Sequence, residues 1–305
     1  MKKEPKSTHP IMFVGAGPGD PELITVKGKI VMENADMVIY AGSLVPKALL
    51  NWTRDHIEQF NSASMNLNEI IELMTQGFED GKRIVRLHTG DPSLYGAIYE
   101  QMYELQKRNI PYQIIPGVTA AFAAAASLQI EYTVPEVSQT LILTRMTGRT
   151  PVPEKENLLT LAAHKASMAI YLSMALIEEV ESILAKAYGE QSICAIVYKA
   201  SHPDEKTVWV KLAKLTQTVK ELEINKHALI IVGDALCVQQ EHRNLTSKLY
   251  DPNFSHEYRN KQPFVKNDED KEMTARIHWF SKVSRLLSGR LPAKERVYLK
   301  VLLKN

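Results

Sequence analysis

Three short turns hold most of the residues whose types and spacing could do chemistry. In His88-Thr89-Gly90-Asp91-Pro92-Ser93-Leu94-Tyr95-Gly96, Gly90 lets a ligand approach the backbone, Asp91 supplies an acceptor and Pro92 fixes the turn. An Asp placed so suits hydroxyls, amines or a cation better than phosphate, and it could equally cap the helix that follows. Gly15-Ala16-Gly17-Pro18-Gly19-Asp20-Pro21 invites a dinucleotide reading. That fingerprint needs free N–H groups and a third glycine, whereas Pro18 removes a donor and Asp20 stands where the glycine should be. The loop reads instead as a rigid wall of a cleft, with Asp20 open to a substrate N–H or to a helix cap. The third turn is Pro116-Gly117-Val118-Thr119-Ala120.

Each turn must sit on an element that aims it. Ile11–Val14, Met37–Tyr40, Arg83–Leu87 and Tyr112–Ile115 are short apolar or β-branched runs that predict strands. Helical spacing is found over Leu23–Met32, Asn66–Phe78 and Ala97–Lys107, and the alanine-rich run Ala121–Leu128 has small side chains suited to close packing. Strands alternating with helices predict a mostly parallel sheet, at whose carboxyl edge ligands bind. Glu131–Pro135 looks like a hinge. Beyond it Thr140–Arg145, Met168–Leu172, Ser192–Tyr198, Thr207–Val210 and Ala228–Val232 predict a second sheet, with helices near Leu176–Tyr188 and Leu212–Leu222. Val208-Trp209-Val210 directly after the Pro203-Asp204-Glu205 turn predicts an antiparallel hairpin with Ile193–Tyr198, so this second sheet is expected to be mixed. The expected fold is α/β, with two α/β domains (1–135 and 136–260) and a cleft between them. Ser247–Pro252 reads as a closing tail, and a polar linker with a basic amphipathic tail occupies 261–305.

Composition narrows the classes. The chain has 305 residues, 45% hydrophobic and 24% charged, with a formal net charge of +2. These values suit a soluble globular protein and give no global signal for nucleic acid. Cys194 and Cys237 are too few for a disulfide framework and lack zinc-ligand spacing. No signal peptide or membrane span is legible, so the cytoplasm is the expected compartment. His88, at a strand end without metal-ligand neighbours, reads as a satisfied structural histidine, and no protein-bound metal is expected.

The order and identity of these turns, together with Tyr171-Leu172-Ser173-Met174 at the end of a strand in the second sheet, resemble the tetrapyrrole methylase family. The resemblance runs from about Ile11 to Arg259. Tyr40-Ala41-Gly42-Ser43-Leu44-Val45, His88-Thr89-Gly90-Asp91-Pro92 and Thr144–Pro153 are most similar to the members that methylate C(11) of precorrin-4, or of its cobalt form, in cobalamin synthesis. Membership implies S-adenosylmethionine as the consumed methyl donor, a tetrapyrrole partner and a homodimer. Carried over by motif, it implies that Pro18, Gly90, Asp91, Leu94, Thr119, Ala120, Leu172 and Ala200 line the S-adenosylmethionine site.

A large flat ring bearing many carboxylates calls for a wide trough with basic and hydroxyl groups on its rim. Arg145, Arg149, Thr150 and Lys199 are the candidates, with Thr144, Thr147 and His202 beside them. Asp20, Ser43 and Tyr95 are the candidates for positioning the acceptor or managing a proton. Where uroporphyrinogen methyltransferases carry an Asp after the Tyr of the second strand, this chain has Ala41, which argues against that activity. Methylation at another corrin position is the alternative within the family. A non-catalytic nucleotide-binding module is the alternative outside it.

Overall fold

The computed structural model describes residues 9–42, 45–241 and 245–260. The first sheet holds β1 (Ile11–Gly15), β2 (Met37–Tyr40), β3 (Glu58–Asn61), β4 (Ile84–His88) and β5 (Tyr112–Ile115) in the order β3-β2-β4-β1-β5, all parallel. Its helices are α1 (Val26–Glu33), α2 (Leu67–Glu79), α3 (Tyr99–Lys107) and α4 (Ala120–Leu128). Being central, β4 is buried along its whole length. Ile84 packs on one face with Ile11, Phe13, Ile39 and Met74, while Val85 and Leu87 pack on the other with Val14, Val38 and Ile115.

Two starts illustrate the local logic. Asn66 caps α2 through a reciprocal pair of hydrogen bonds with Glu69, as the Asn-x-x-Glu spacing dictates. Helix α1 begins at Val26 rather than Leu23, because Thr25 caps it and Asp20 caps a separate one-turn helix at Pro21–Leu23. Strand β3 escapes a periodicity reading, since Glu-Gln-Phe-Asn is a polar edge strand exposed along most of its length.

The second sheet holds β6 (Leu141–Arg145), β7 (Ser167–Tyr171), β8 (Ile193–Tyr198), β9 (Lys206–Lys211) and β10 (Ala228–Val232) in the order β6-β7-β10-β8-β9. The β6–β7 pair is parallel and the rest antiparallel, including the β8–β9 hairpin. Helices α5 (Leu158–Ala162), α6 (Ile177–Tyr188) and α7 (Leu215–Glu221) cover one face, and α8 (Asp234–Glu241) follows β10.

Helix α4 follows β5 of the first sheet but packs under the second. Its Ala121, Ala124 and Ala125 lie against Ala169, Ala195 and Ile231, small residues on both sides that let helix and sheet approach closely. The connection between the sheets is fastened as well. Tyr132 is buried, its hydroxyl donates to the Ala121 carbonyl at 2.7 Å, and its own carbonyl accepts from Ser167 Oγ at 2.7 Å. Both sheets lie in one compact unit, Met1–Leu245, and Thr246–Asn305 forms a second. In that second unit Ser247 caps a one-turn helix at Lys248–Tyr250, and Arg259 donates to the carbonyls of Leu249 and Asp251. The expected linker and basic tail at 261–305 lie outside the described residues.

Candidate active site

Because β1, β4 and β5 are parallel neighbours, their carboxyl ends bring the three turns together. The meeting point is glycine on glycine: a Cβ on Gly15 would come within 2.6 Å of Gly117 Cα, and one on Gly117 within 2.1 Å of the Gly90 carbonyl. Gly17 and Gly90, at φ of 80° and 60°, exchange backbone hydrogen bonds of 3.2 and 2.8 Å. Asp91 locks the arrangement. One carboxylate oxygen accepts the Gly117 N–H at 2.8 Å, and the other accepts both the N–H and the hydroxyl of Ser93. Burial pushes this carboxyl up, but the hydrogen bonds from Ser93 and Gly117 outweigh it and hold the group below its ordinary value. Asp91 therefore braces loops and does not cap α3, which starts at Tyr99 with Ile98 before it.

The second sheet supplies the opposite wall. The Tyr171 hydroxyl accepts the Ala121 N–H at 2.9 Å and is hydrogen-bonded to Thr119 Oγ1 at 2.7 Å, tying the end of β7 to the start of α4. Tyr95 tilts against Tyr171 with ring centres 5.4 Å apart. The Asp20 N–H donates to Ser201 Oγ at 2.9 Å, and Gly19 leaves room only for the His202 ring. Between these walls lies a cavity of about 880 Å3. Around it Tyr95, Leu172, Lys199 and His227 all hold positive φ, a cost that marks loops fixed by their surroundings.

Arg86 and His88 line the same cavity from its first-sheet side. Burial pulls the Arg86 guanidinium down to about 10, so it stays charged at neutral pH. Burial, with Arg86 beside it, pushes the His88 imidazole down to about 3, so it stays neutral. The ring stacks on Phe13 at 5.9 Å, yet its buried Nε2 has no hydrogen-bond partner among the described residues. The satisfied structural histidine expected from sequence is thus only half right, since one of its polar atoms is left over.

Every residue expected at the methyl donor, Pro18, Gly90, Asp91, Leu94, Thr119, Ala120, Leu172 and Ala200, lines this cavity. Leu172 is 69% exposed in spite of its apolar side chain, which is how a residue facing a cleft behaves. Tyr95 and Lys199 line it too, Lys199 already paired with Asp204 at 2.5 Å. Burial raises the Tyr95 phenol, which makes it a hydrogen-bond donor rather than a base. His202 lines the cavity as well, and the other candidates fall elsewhere. The Asp20 carboxylate is turned into its own loop, accepting the Glu22 N–H at 2.9 Å. Arg145 spends its guanidinium on the carbonyls of Met146, Thr150 and Pro151, clasping the loop it belongs to. Arg149 and Thr150 are exposed on that loop and are not in the cavity wall. Ser43 lies outside the described residues.

Arg86 and the Asn225–His227 turn are cavity residues that sequence reasoning misses, and only Arg86 carries a local signal, a charge inside an otherwise apolar central strand; Tyr171 lines the cavity as the strand-end motif that contains it implies. Among the described residues no group of three His, Cys, Asp or Glu side chains is placed to hold a metal ion, and no helix is long and apolar enough to cross a membrane.

Comparison with known proteins adds an independent line. The family profile described as Tetrapyrrole (Corrin/Porphyrin) Methylases matches residues 10–216. The chain is 53% identical over 250 residues to a cobalt-precorrin-4 C(11)-methyltransferase of Methanocaldococcus jannaschii, covering 82% of this chain and 95% of that one. It is 44% identical over 244 residues to a precorrin-4 C(11)-methyltransferase of Pseudomonas aeruginosa, covering 77% and 97%. Among solved structures, a cobalt precorrin-4 methyltransferase superposes with a TM-score of 0.72 at 44% identity, covering 74% of this chain and 95% of that one.

Proposed function

The chain belongs to the tetrapyrrole (corrin/porphyrin) methylases, and from that premise we propose that it transfers the methyl group of S-adenosylmethionine to C(11) of precorrin-4 or cobalt-precorrin-4 in cobalamin synthesis. The observation that carries this reading is the cavity that gathers all the residues expected at the methyl donor, in a chain whose relatives at 44% and 53% identity bear that activity in their names.

The residues suit the two ligands. Gly90 admits close approach of the donor's amino-acid end and ribose. The Thr119 backbone serves the same end, Ala120 and Leu172 form a small apolar slot for the adenine, and Leu94 and Ala200 extend it. The tetrapyrrole occupies the rest of the cavity and its mouth, where Tyr95 offers a phenol and Lys199 a cation. Arg149 and Thr150 serve the substrate from the exposed loop after β6, which Arg145 clasps.

In the reaction the ring carbon's electron pair forms the new C–C bond as the C–S bond breaks, and the sulfonium leaves as a neutral thioether. Alignment of the two ligands and exclusion of water can account for a large part of the rate, about 7–11 kcal/mol in favourable cases. Among the described candidates Asp20 is committed to its loop and Tyr95 stays protonated, so neither is assigned as a base. We further propose a cytoplasmic homodimer that holds no metal of its own, on the strength of the family resemblance; light scattering and metal analysis of the purified protein test these points.

The test of the function is incubation with S-adenosylmethionine and enzymatically prepared precorrin-4, with and without cobalt, followed by mass spectrometry and NMR. One methyl gained at C(11) is the expected result. A methyl at another carbon, or none despite cofactor binding, overturns the assignment.

A further inference from the structure

Arg86 is 5% exposed and His88 4%. The Arg86 Nε donates to Gln101 Oε1 at 3.0 Å and Nη1 to the Ile39 carbonyl at 3.3 Å, and Gln101 is itself held by the Ala97 carbonyl at 2.9 Å. Both acceptors are neutral. None of the ion pairs among the described residues includes Arg86. A buried guanidinium without a counter-anion is costly to a fold, and an apolar side chain of similar volume would satisfy the packing better. A buried imidazole nitrogen without a partner is a second uncompensated group at the same place. Both residues line the cavity, whose wall also includes the uncharged Ala41, Val45, Pro46 and Gly96.

We propose that Arg86 anchors one side-chain carboxylate of the tetrapyrrole at the floor of the cavity, with His88 beside it as a second hydrogen-bonding group. A planar guanidinium binds a carboxylate through two parallel N–H bonds, which fixes orientation as well as position. One acidic arm held at the floor sets which edge of the macrocycle faces the methyl donor, so Arg86 is a specificity-determining residue. The inference rests on the substrate class proposed above.

Register suggests the decisive variant. Ile39 is paired with Arg86 and Tyr40 with Leu87, so Ala41 follows on the same face, next to His88 and one step from the guanidinium. An aspartate there would occupy Arg86 from inside the protein. The full chain is assayed for S-adenosylhomocysteine binding by calorimetry and for KM of cobalt-precorrin-4 in methyl transfer. Arg86→Met should raise that KM about 10- to 100-fold, the effect of losing a charged hydrogen-bonded contact, while S-adenosylhomocysteine binding stays as in wild type. Arg86→Lys should recover part of the loss. Ala41→Asp should raise KM about tenfold on its own and add nothing to Arg86→Met, the mark of two groups acting on one site. Retained S-adenosylhomocysteine binding establishes that each variant is folded.

An unchanged KM in Arg86→Met, an equal loss of S-adenosylhomocysteine affinity, or a full additional effect of Ala41→Asp in the Arg86→Met background would overturn the proposal. Wild-type turnover tests the functional reading separately. If wild type transfers no methyl to either substrate, the same variants are compared for binding of uroporphyrin III by fluorescence titration: weaker binding by Arg86→Met supports the anchor, and unchanged binding refutes it.

Discussion

Strand β4 is preceded by one arginine and carries another at its centre, and the two are treated in opposite ways. Arg83, just before the strand, donates Nε and Nη2 to the two oxygens of Asp36 at 2.9 and 2.8 Å, and its backbone N–H adds a third bond of 2.9 Å. Arg54 reaches the same carboxylate at 2.8 Å. Three residues on, Arg86 is more deeply buried and holds only neutral acceptors. The amino edge of the sheet carries a charge neutralised within the chain, and the middle of its central strand carries one left for the cavity that the carboxyl edge opens onto. In a parallel sheet the carboxyl edge is where loops converge on ligands, so the pairing of charges separates residues that serve stability from residues that serve the site.

The largest test of this contrast is at the glycine contact. Gly117→Ala would drive a Cβ into the Gly90 carbonyl and should cost about 3 kcal/mol or abolish S-adenosylhomocysteine binding. Gly148→Ala, whose Cβ would meet nothing closer than Leu176 Cδ1 at 3.7 Å, should be nearly neutral. Thermal melts and calorimetry of the pair decide whether the carboxyl edge is as tightly determined as its geometry implies.

A pH profile should separate the two ends by window. The His88 imidazole is pushed down to about 3, so below the ordinary histidine value of about 6.5 the unfolded chain takes up a proton that the folded chain refuses. Stability from this group is full above about pH 6.5 and is lost as pH falls, by about 2 kcal/mol between pH 6.5 and 5. The Asp36 carboxyl is held well below its ordinary value by the Arg83 hydrogen bonds, against an opposing push from burial. Its contribution is present above about pH 4 and is lost only as pH falls below that. Urea titrations across pH should show His88→Phe flattening the upper limb and Asp36→Asn the lower one. Interchange of those windows would break the comparison.

The smallest effect is also the most direct. Arg83→Met should cost about 1 kcal/mol, a figure reduced by the partial exposure of its pair with Asp36. Arg86→Met should leave stability unchanged or raise it by about 1 kcal/mol, because it removes a buried cation that lacks an anion. Equal destabilisation by both in urea unfolding would mean that Arg86 serves the fold as Arg83 does.

Much of this architecture is legible in the order of the residues. The runs at Met37–Tyr40, Tyr112–Ile115 and Ala228–Val232 are strands with the expected bounds, and Asn66-x-x-Glu69 marks the start of α2, because burial period and capping are local properties. The three turns are legible from their glycines, prolines and aspartates and the methyl-donor residues from motif resemblance, and the cavity is lined by residues of all three turns. The rim arginines do not transfer so well. Arg145 looks available in the sequence because chain order cannot reveal that three carbonyls of its own loop surround it. Asp20 looks equally open, yet its carboxylate closes on Glu22.

What the sequence determined by itself, then, is the alternation of elements, the positions of the glycines and the family to which they point, since each depends on residues close in the chain. Tertiary structure alone decided which charges are spent and which are left. Arg83 and Asp36 are 47 residues apart, and so are Arg86 and the Ile39 carbonyl; only the sheet order β2-β4 brings them together. Whether an arginine is neutralised or kept for a ligand depends on that register, because an ion pair is set by distances of a few ångströms that chain spacing does not encode.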